Sequence, residues 1–288
     1  MIRKFLAIAL ITTPIAICFP GLFAAANQFF YSPDLVKIAR NNGLSSPSIT
    51  VCNLSGKCLN YRGNSYPQSA ASLIKVPIAI ALLQKLSEKK ISLSTPTYIH
   101  PNNYTEEDYS DIKVGKSYPW RYLLTQLIAY SSNIAANQII DYLGWNYINR
   151  VLANLGYPNT RVAYKFTGEV TAPRRNQGWA SNRITTNELT AMMMKIYNRQ
   201  RPEYSTLVSI FSRQADRDLG WQALQGSTSR WLGEKTGENS RVRGTTLAVE
   251  IKNKIYLITV TENNGKKEQQ IRRCIREIVS YIAKNNGI

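Results

Sequence analysis

Histidine is almost absent from the sequence: His100, between Ile99 and Pro101, is the only one. A serine–histidine–aspartate triad would have to use it, and a lone histidine in a predicted loop is a poor basis for one. The four cysteines form no CxxC pair and stand near no histidine-rich tract, which argues against a zinc site. We therefore expect neither a metal ion nor a cofactor.

Acidic residues are scarce, with 18 Asp and Glu against 36 Lys and Arg, which gives a net charge of +18. Such a charge attracts anions such as nucleic acid, acidic wall polymers or lipid head groups. The basic residues are scattered, without the aromatic-interleaved basic stripe of single-strand binders. The composition thus predicts no nucleic-acid partner and a basic surface suited to an anionic cell envelope.

Long apolar runs are missing except near the start of the chain. There a basic pair precedes an almost wholly apolar run, Phe5–Ile17, and the small residues Ala24-Ala25-Ala26 follow. This order predicts a secretory signal peptide over residues 1–26, and the run is shorter than the roughly 18 residues of a spanning helix. We expect an exported protein, periplasmic or extracellular, with one domain over residues 27–288 and no stable membrane span after cleavage.

Predicted strands stand near both ends of the chain, at Ile49–Leu54 with Cys58–Arg62 and at Thr245–Ile251 with Ile255–Glu262, and helices fill the middle. This order predicts an α+β fold in which an antiparallel sheet formed from both chain ends packs against a helical subdomain. The first hairpin would bring Cys52 opposite Cys58, where an oxidising compartment favours a disulfide.

The stretch Gly156–Ile184 has little periodicity and is predicted to be a long loop, a feature often linked to function. Thr185-x-x-Glu188 after it matches a capping box that begins a helix. Near the end of the chain, Cys274 recurs at helical spacing with isoleucines and should be a buried apolar residue.

Three short motifs carry candidate chemistry. Ser72-Leu73-Ile74-Lys75 places a hydroxyl and an amine one helical turn apart, and a lysine in a partly dry pocket can take a serine proton. Ser131-Ser132-Asn133 supplies a hydroxyl for proton relay and an amide. Lys235-Thr236-Gly237 supplies a cation, a donor and close backbone access. Alone, each is also compatible with a helix cap or a surface lysine.

In this order the three motifs resemble those of class A β-lactamases and penicillin-binding proteins. The resemblance runs from about Ser48 to the C-terminus, with Ser132 where the family usually has Asp. It implies a β-lactamase/transpeptidase-like catalytic domain over residues 27–288. It also implies that Ser72 is acylated with the help of Lys75 and that Ser131 protonates the departing nitrogen.

The resemblance also implies a set of binding residues. Asn133 would contact a side-chain amide of the substrate, and Lys235 and Thr236 would bind its carboxylate. Gly237 allows close approach, and the N–H groups of Ser72 and Glu238 would form the oxyanion hole. Arg243 resembles the family arginine that helps to hold the carboxylate, with Arg241 as an alternative.

Release of the acyl group is the open step. Class A enzymes use a glutamate of the omega loop, which here would be Gly156–Ile184. Its only carboxylate is Glu169. Counting back from Thr185-Thr186 puts Glu169 near the expected place, whereas counting forward from Thr160-Arg161 puts Phe166 there.

Three functions therefore compete. The first is class A-type β-lactam hydrolysis, with Glu169 as a candidate catalytic residue. The second is a cell-wall peptidase acting on D-Ala-D-Ala stems. The third is a slowly deacylating domain that binds or senses β-lactams or peptidoglycan fragments. In each case the partner is a small-molecule β-lactam or a peptidoglycan stem peptide, and we expect a monomer.

Overall fold

The computed structural model describes residues 28–107, 110–168, 170–174, 177–264 and 267–288. The predicted signal peptide, 1–26, and Glu169 lie outside these residues. The strands are β1 (Gln28–Tyr31), β2 (Pro47–Asn53), β3 (Lys57–Tyr61), β4 (Pro96–Tyr98), β5 (Ser117–Pro119), β6 (Arg230–Asn239), β7 (Val242–Ile251) and β8 (Lys254–Asn263). The helices are α1 (Pro33–Asn41), α2 (Lys75–Glu88), α3 (Trp120–Ile128), α4 (Asn133–Leu143), α5 (Trp145–Asn154), α6 (Thr186–Tyr197), α7 (Tyr204–Phe211), α8 (Gly220–Ala223) and α9 (Glu268–Asn285).

The main sheet has the strand order β1-β3-β2-β8-β7-β6 in the described part of the chain. Its pairs are antiparallel except for β1, which runs parallel to β3. The strands from the first and last thirds of the sequence therefore lie side by side in one sheet and meet where β2 pairs with β8. This confirms the predicted α+β class.

Two apolar cores lie on the two faces of this sheet. On one face, α1, α8 and α9 bury a cluster that includes Leu35, Ile258 and Ile275. On the other, α6 and the helical subdomain around α2 bury the larger cluster. Cys274 belongs to the first core, as predicted, and burial raises the pKa of its thiol. No helix in the ranges described above has the length and apolarity to cross a membrane.

Local sequence signals place several elements correctly. Cys52 and Cys58 are paired residues of β2 and β3 and form a disulfide. The helix Asn133–Leu143 ends at Gly144, whose φ of 73° belongs to a conformation that favours glycine. The segments β1, β4, β5, α7 and α8 were not predicted.

The capping-box prediction at the start of α6 is half wrong. Thr185 Oγ1 accepts from the Glu188 backbone N–H, as predicted, at 3.2 Å. The Glu188 carboxylate does not return to Thr185 but accepts from Asn159 and from the Thr160 hydroxyl. It thereby anchors the start of the long loop onto α6, which positions that loop beside the cleft described next.

Candidate active site

A cleft of about 1050 Å³ brings the three motifs together between β6 and the helical subdomain. Ser72, Ser131, Asn133, Thr236 and Gly237 all line it. These residues come from three stretches that are far apart in the sequence, and the tertiary fold brings them into one cleft. In the described ranges, no group of His, Cys, Asp or Glu is arranged to hold a metal ion.

Ser72 lies in a 3₁₀ turn, Ala71–Ile74, that leads directly into α2. The side chains of Leu73 and Ile74 are buried, whereas Ser72 remains partly accessible. Ala71 has φ of 43°, in the left-handed region that costs a non-glycine residue about 1–3 kcal/mol. Burial of the two apolar neighbours holds the turn in this conformation and presents the Ser72 hydroxyl to the cleft.

Lys75 is fully buried, and its Nζ lies 3.0 Å from Ser72 Oγ. The same nitrogen lies 3.1 Å from Ser131 Oγ and 2.7 Å from Asn133 Oδ1, and it donates to the Ser131 carbonyl. The ring of Phe166 covers it, with the ring centroid 4.4 Å away.

Burial, and next the charge of Lys235, lower the pKa of Lys75 well below its usual value, although Glu107 opposes them. A neutral amine has two N–H groups, which the Ser131 carbonyl and Asn133 Oδ1 can accept here. Its lone pair is then free to accept the Ser72 hydroxyl proton. The arrangement can therefore deprotonate Ser72 as it attacks a carbonyl.

Ser131 bridges the two buried lysines. Its Oγ lies 3.1 Å from Lys235 Nζ, the same distance as from Lys75 Nζ. Its backbone has φ of 56°, again in the left-handed region. Burial lowers the pKa of Lys235 to about 7. A hydroxyl between two lysines with lowered pKa values can pass a proton from the Ser72 side to a leaving nitrogen.

Glu107 fixes the Ser131-Ser132-Asn133 turn and was not identified from the sequence. Its carboxylate accepts from Ser132 Oγ at 2.8 Å, from Ile134 N at 2.9 Å and from Asn133 N. It thus places a negative charge at the N-terminus of α4, where it satisfies two helix N–H groups. Ser132 stands where the resemblance leads one to expect Asp. Its hydroxyl donates to the Glu107 carboxylate, so the negative charge at this turn comes from Glu107 rather than from residue 132.

Glu107→Gln is expected to lower the free energy of unfolding by about 1–3 kcal/mol, because part of the acceptor capacity for three donors is lost. The measurement is urea unfolding. Asp111→Asn, an equal charge change at an exposed site, is the control and should stay within about 0.5 kcal/mol of wild type. Equal stability of the two variants would show that Glu107 does not hold this turn.

Gly237 lies against the Ser72 turn. A Cβ at this position would come 3.2 Å from Ser72 N and 3.0 Å from Leu73 N. Only glycine leaves that space open, and Glu238 follows it on β6. The N–H groups of Ser72 and Glu238 therefore belong to backbone segments in close contact, as an oxyanion hole requires.

Arg243 lies on β7 opposite Glu238 and is only 2% exposed. Its guanidinium contacts three carboxylates: Asp216 at 2.9 Å, Glu238 at 3.1 Å and Glu268 at 2.8 Å. Arg241, the alternative from the sequence, is exposed in the turn between β6 and β7 rather than on a strand. Arg243 is thus at the cleft, but protein carboxylates already surround it.

The long loop lines the cleft with Gly168, Val170 and Thr171, and its Phe166 packs against Lys75. Both polar backbone atoms of Phe166 are held by the buried Asn137 amide: Phe166 N donates to Asn137 Oδ1 at 2.7 Å, and Asn137 Nδ2 donates to Phe166 O at 2.9 Å. The buried Lys165 next to it lies 3.2 Å from Asp141 Oδ1. These contacts fix the Phe166 ring over Lys75.

Several solved structures share this fold at low sequence identity. A beta-lactamase from Sphaerobacter thermophilus DSM 20745 is 20% identical, with a TM-score of 0.72 over 88% of this chain and 96% of that one. The protein PBP-A is 22% identical, with a TM-score of 0.74 over 88% and 97%. The TLA-3 extended-spectrum beta-lactamase is 15% identical, with a TM-score of 0.73 over 87% and 98%. A search of curated protein sequences gave no match.

The family comparison agrees with the motifs and the fold. The model described as "Beta-lactamase enzyme family" matches residues 33–285, nearly all of the described chain. The match includes each of the three motifs and the long loop. The chain therefore belongs to the beta-lactamase enzyme family.

Proposed function

We propose that the protein is an acyl-serine enzyme of the penicillin-binding type, which is acylated on Ser72 and releases the acyl group from β-lactams slowly. The observation that carries this is the Phe166 ring over Lys75 Nζ, at 4.4 Å. Position 166 is one of the two places where counting puts the base of the loop, and an aromatic ring there cannot take a proton from water. Its natural substrates are peptide amides of the cell wall.

The acylation half of the proposal is supported by the Ser72, Lys75 and Ser131 geometry. Lys75 takes the Ser72 proton, the Ser72 oxygen bonds to the substrate carbonyl carbon, and the N–H groups of Ser72 and Glu238 stabilise the oxyanion. Ser131, between Lys75 and Lys235, then donates a proton to the leaving nitrogen as the amide bond breaks. Asn133 holds the acyl side of the substrate.

Class A-type β-lactam hydrolysis is the second candidate, with Glu169 as the base that activates water. It is favoured by the sequence position of Glu169 in the loop and by the beta-lactamases among the similar folds. The two functions differ in one step, the hydrolysis of the acyl-enzyme, and therefore in the lifetime of that intermediate.

The test is intact-mass measurement after mixing the mature protein with benzylpenicillin. We expect one covalent adduct on Ser72 that persists for hours, and no adduct with Ser72→Ala. An adduct that disappears within seconds, with many turnovers of a chromogenic cephalosporin, would support hydrolysis instead. In that case Glu169→Ala should lengthen the adduct's lifetime, whereas under our proposal it leaves the lifetime unchanged.

Export is part of the same proposal. The predicted signal peptide over residues 1–26 and the Cys52–Cys58 disulfide both fit an oxidising compartment outside the cytoplasmic membrane. The exported protein would meet its proposed cell-wall peptide substrate in that compartment. Cleavage near Ala26 is checked by N-terminal sequencing of the secreted protein.

A further inference from the structure

The end of the cleft beyond Lys235 is unusually rich in negative charge for so basic a protein. Asp216, Asp218 and Glu238 line it, and Glu268 reaches Arg243 from α9. Arg243 and the exposed Arg217 are the cations here, and three carboxylates contact Arg243 within 3.1 Å. The guanidinium and its three carboxylate partners together carry a formal charge of −2.

Asp216 holds Arg243 from within the cleft. Its Oδ2 accepts from Arg243 Nη1 at 2.9 Å, and its Oδ1 lies 3.4 Å from Nη2, so it takes the two-pronged geometry that a substrate carboxylate would use. Burial raises the pKa of Asp216, but the hydrogen bond and charge of Arg243 outweigh this and hold it below its usual value. Asp216 is therefore ionised at neutral pH.

Lys235 compensates little for this charge. Its pKa is lowered to about 7, so near neutral pH the Lys235 amine is uncharged in a large share of the protein molecules. Its Nζ also donates to the Thr236 carbonyl at 2.7 Å. A carboxylate arriving beside Thr236 would meet the charges of Asp216 and Glu238, and like charges at close range are a strong means of rejecting a ligand.

We propose that Asp216 is a specificity-determining residue that occupies Arg243 and selects leaving groups without a free carboxylate. This rests on the proposed function and narrows its substrate to peptides whose leaving residue has an amidated or otherwise neutral carboxyl group. Glu238, with 58% of its side chain exposed, adds to the same discrimination.

The test compares acylation by benzylpenicillin, which carries a carboxylate, with acylation by its neutral carboxamide. Second-order rate constants are measured by intact mass at neutral pH. In Asp216→Asn, benzylpenicillin should acylate at least tenfold faster than in wild type, a gain of about 1.4 kcal/mol. The carboxamide should change by less than threefold, because it has no charge for Asp216 to repel.

Asp218→Asn is the matched control. It removes the same charge from the same wall of the cleft, two residues away, at a side chain that does not contact Arg243, and should change both rates by less than threefold. Should Asp216→Asn fold poorly, Glu238→Gln at its exposed site gives the same test, with an expected threefold or greater gain for benzylpenicillin alone.

The outcomes separate this inference from the proposed function. If neither compound acylates Ser72, the proposed function is wrong. If both acylate it but Asp216→Asn leaves the benzylpenicillin rate unchanged or lowers it, Asp216 does not oppose a carboxylate and the inference is overturned. A lowered rate would mean that Asp216 orients Arg243 to bind the carboxylate.

Discussion

Lys75→Met is expected to slow acylation of Ser72 by benzylpenicillin about 10²–10⁴-fold, the usual contribution of a general base. Methionine keeps an unbranched side chain in the buried site but cannot accept a proton. The nitrogen removed is the one 3.0 Å from Ser72 Oγ. The measurement is the rate of adduct formation by intact mass, at saturating and at low benzylpenicillin.

The pH dependence gives a second readout. Only the neutral amine accepts a proton, so the wild-type rate should rise with pH until the lowered pKa of Lys75 is passed and then level off. Lys235, with a pKa of about 7, titrates in the neutral range as well and is present in both proteins. The rising limb that wild type has and Lys75→Met lacks therefore belongs to Lys75.

Lys195→Met is the control for loss of a partly buried amine. Burial lowers the pKa of Lys195 too, but it lies on α6 outside the cleft and donates to the Leu155 carbonyl. Its acylation rate should match that of wild type. A Lys75→Met rate within threefold of wild type would exclude Lys75 as the base and leave Ser131 or solvent to take the proton.

The motifs were predictable because each depends on a short stretch of sequence. Ser72 and Lys75 are three residues apart, and Asn133–Leu143 carries its own start and stop signals, so the proposed nucleophile and the helix beside it follow from local pattern. The hairpins at Cys52–Cys58 and β7–β8 follow in the same way. Their pairing into one sheet agrees with the general rule for strands at both chain ends.

Residues that act across the fold could not be predicted from pattern. Glu107 lies 25 to 27 residues before the groups it binds, in a segment without regular structure, so no spacing rule connects them. Asp216 meets Arg243 only because the segment after α7 passes beside β7. Counting forward along the sequence put Phe166 at the position expected for the base. Its ring lies over Lys75, however, because the Asn137 amide holds both polar backbone atoms of Phe166.

The contact of Phe166 with Lys75 leads to the prediction that bears most directly on deacylation. Phe166→Glu should shorten the lifetime of the benzylpenicillin adduct about 10²–10⁴-fold, because a carboxylate would replace the ring over Lys75 and could activate water. The backbone at this position is fixed by Asn137 regardless of the side chain, so the new carboxylate should enter the space that the ring now fills.

The same substitution should not speed acylation. A carboxylate next to Lys75 Nζ favours the charged amine and so raises the pKa of Lys75, which leaves less neutral base at neutral pH. We therefore expect faster release together with equal or slower adduct formation, a split that a general loosening of the loop would not produce. Both rates come from one time course of intact masses.

The variant Phe166→Gln distinguishes the effect of adding a base from the effect of removing the ring. Glutamine removes the ring and admits water as glutamate does, but it cannot take a proton. If release is slow in Phe166→Gln and fast in Phe166→Glu, a missing base limits the wild-type protein. If both variants release equally fast, the ring acts by excluding water and another group, such as Glu169, supplies the base. If neither releases faster than wild type, the ring over Lys75 is not what makes the acyl-enzyme long-lived.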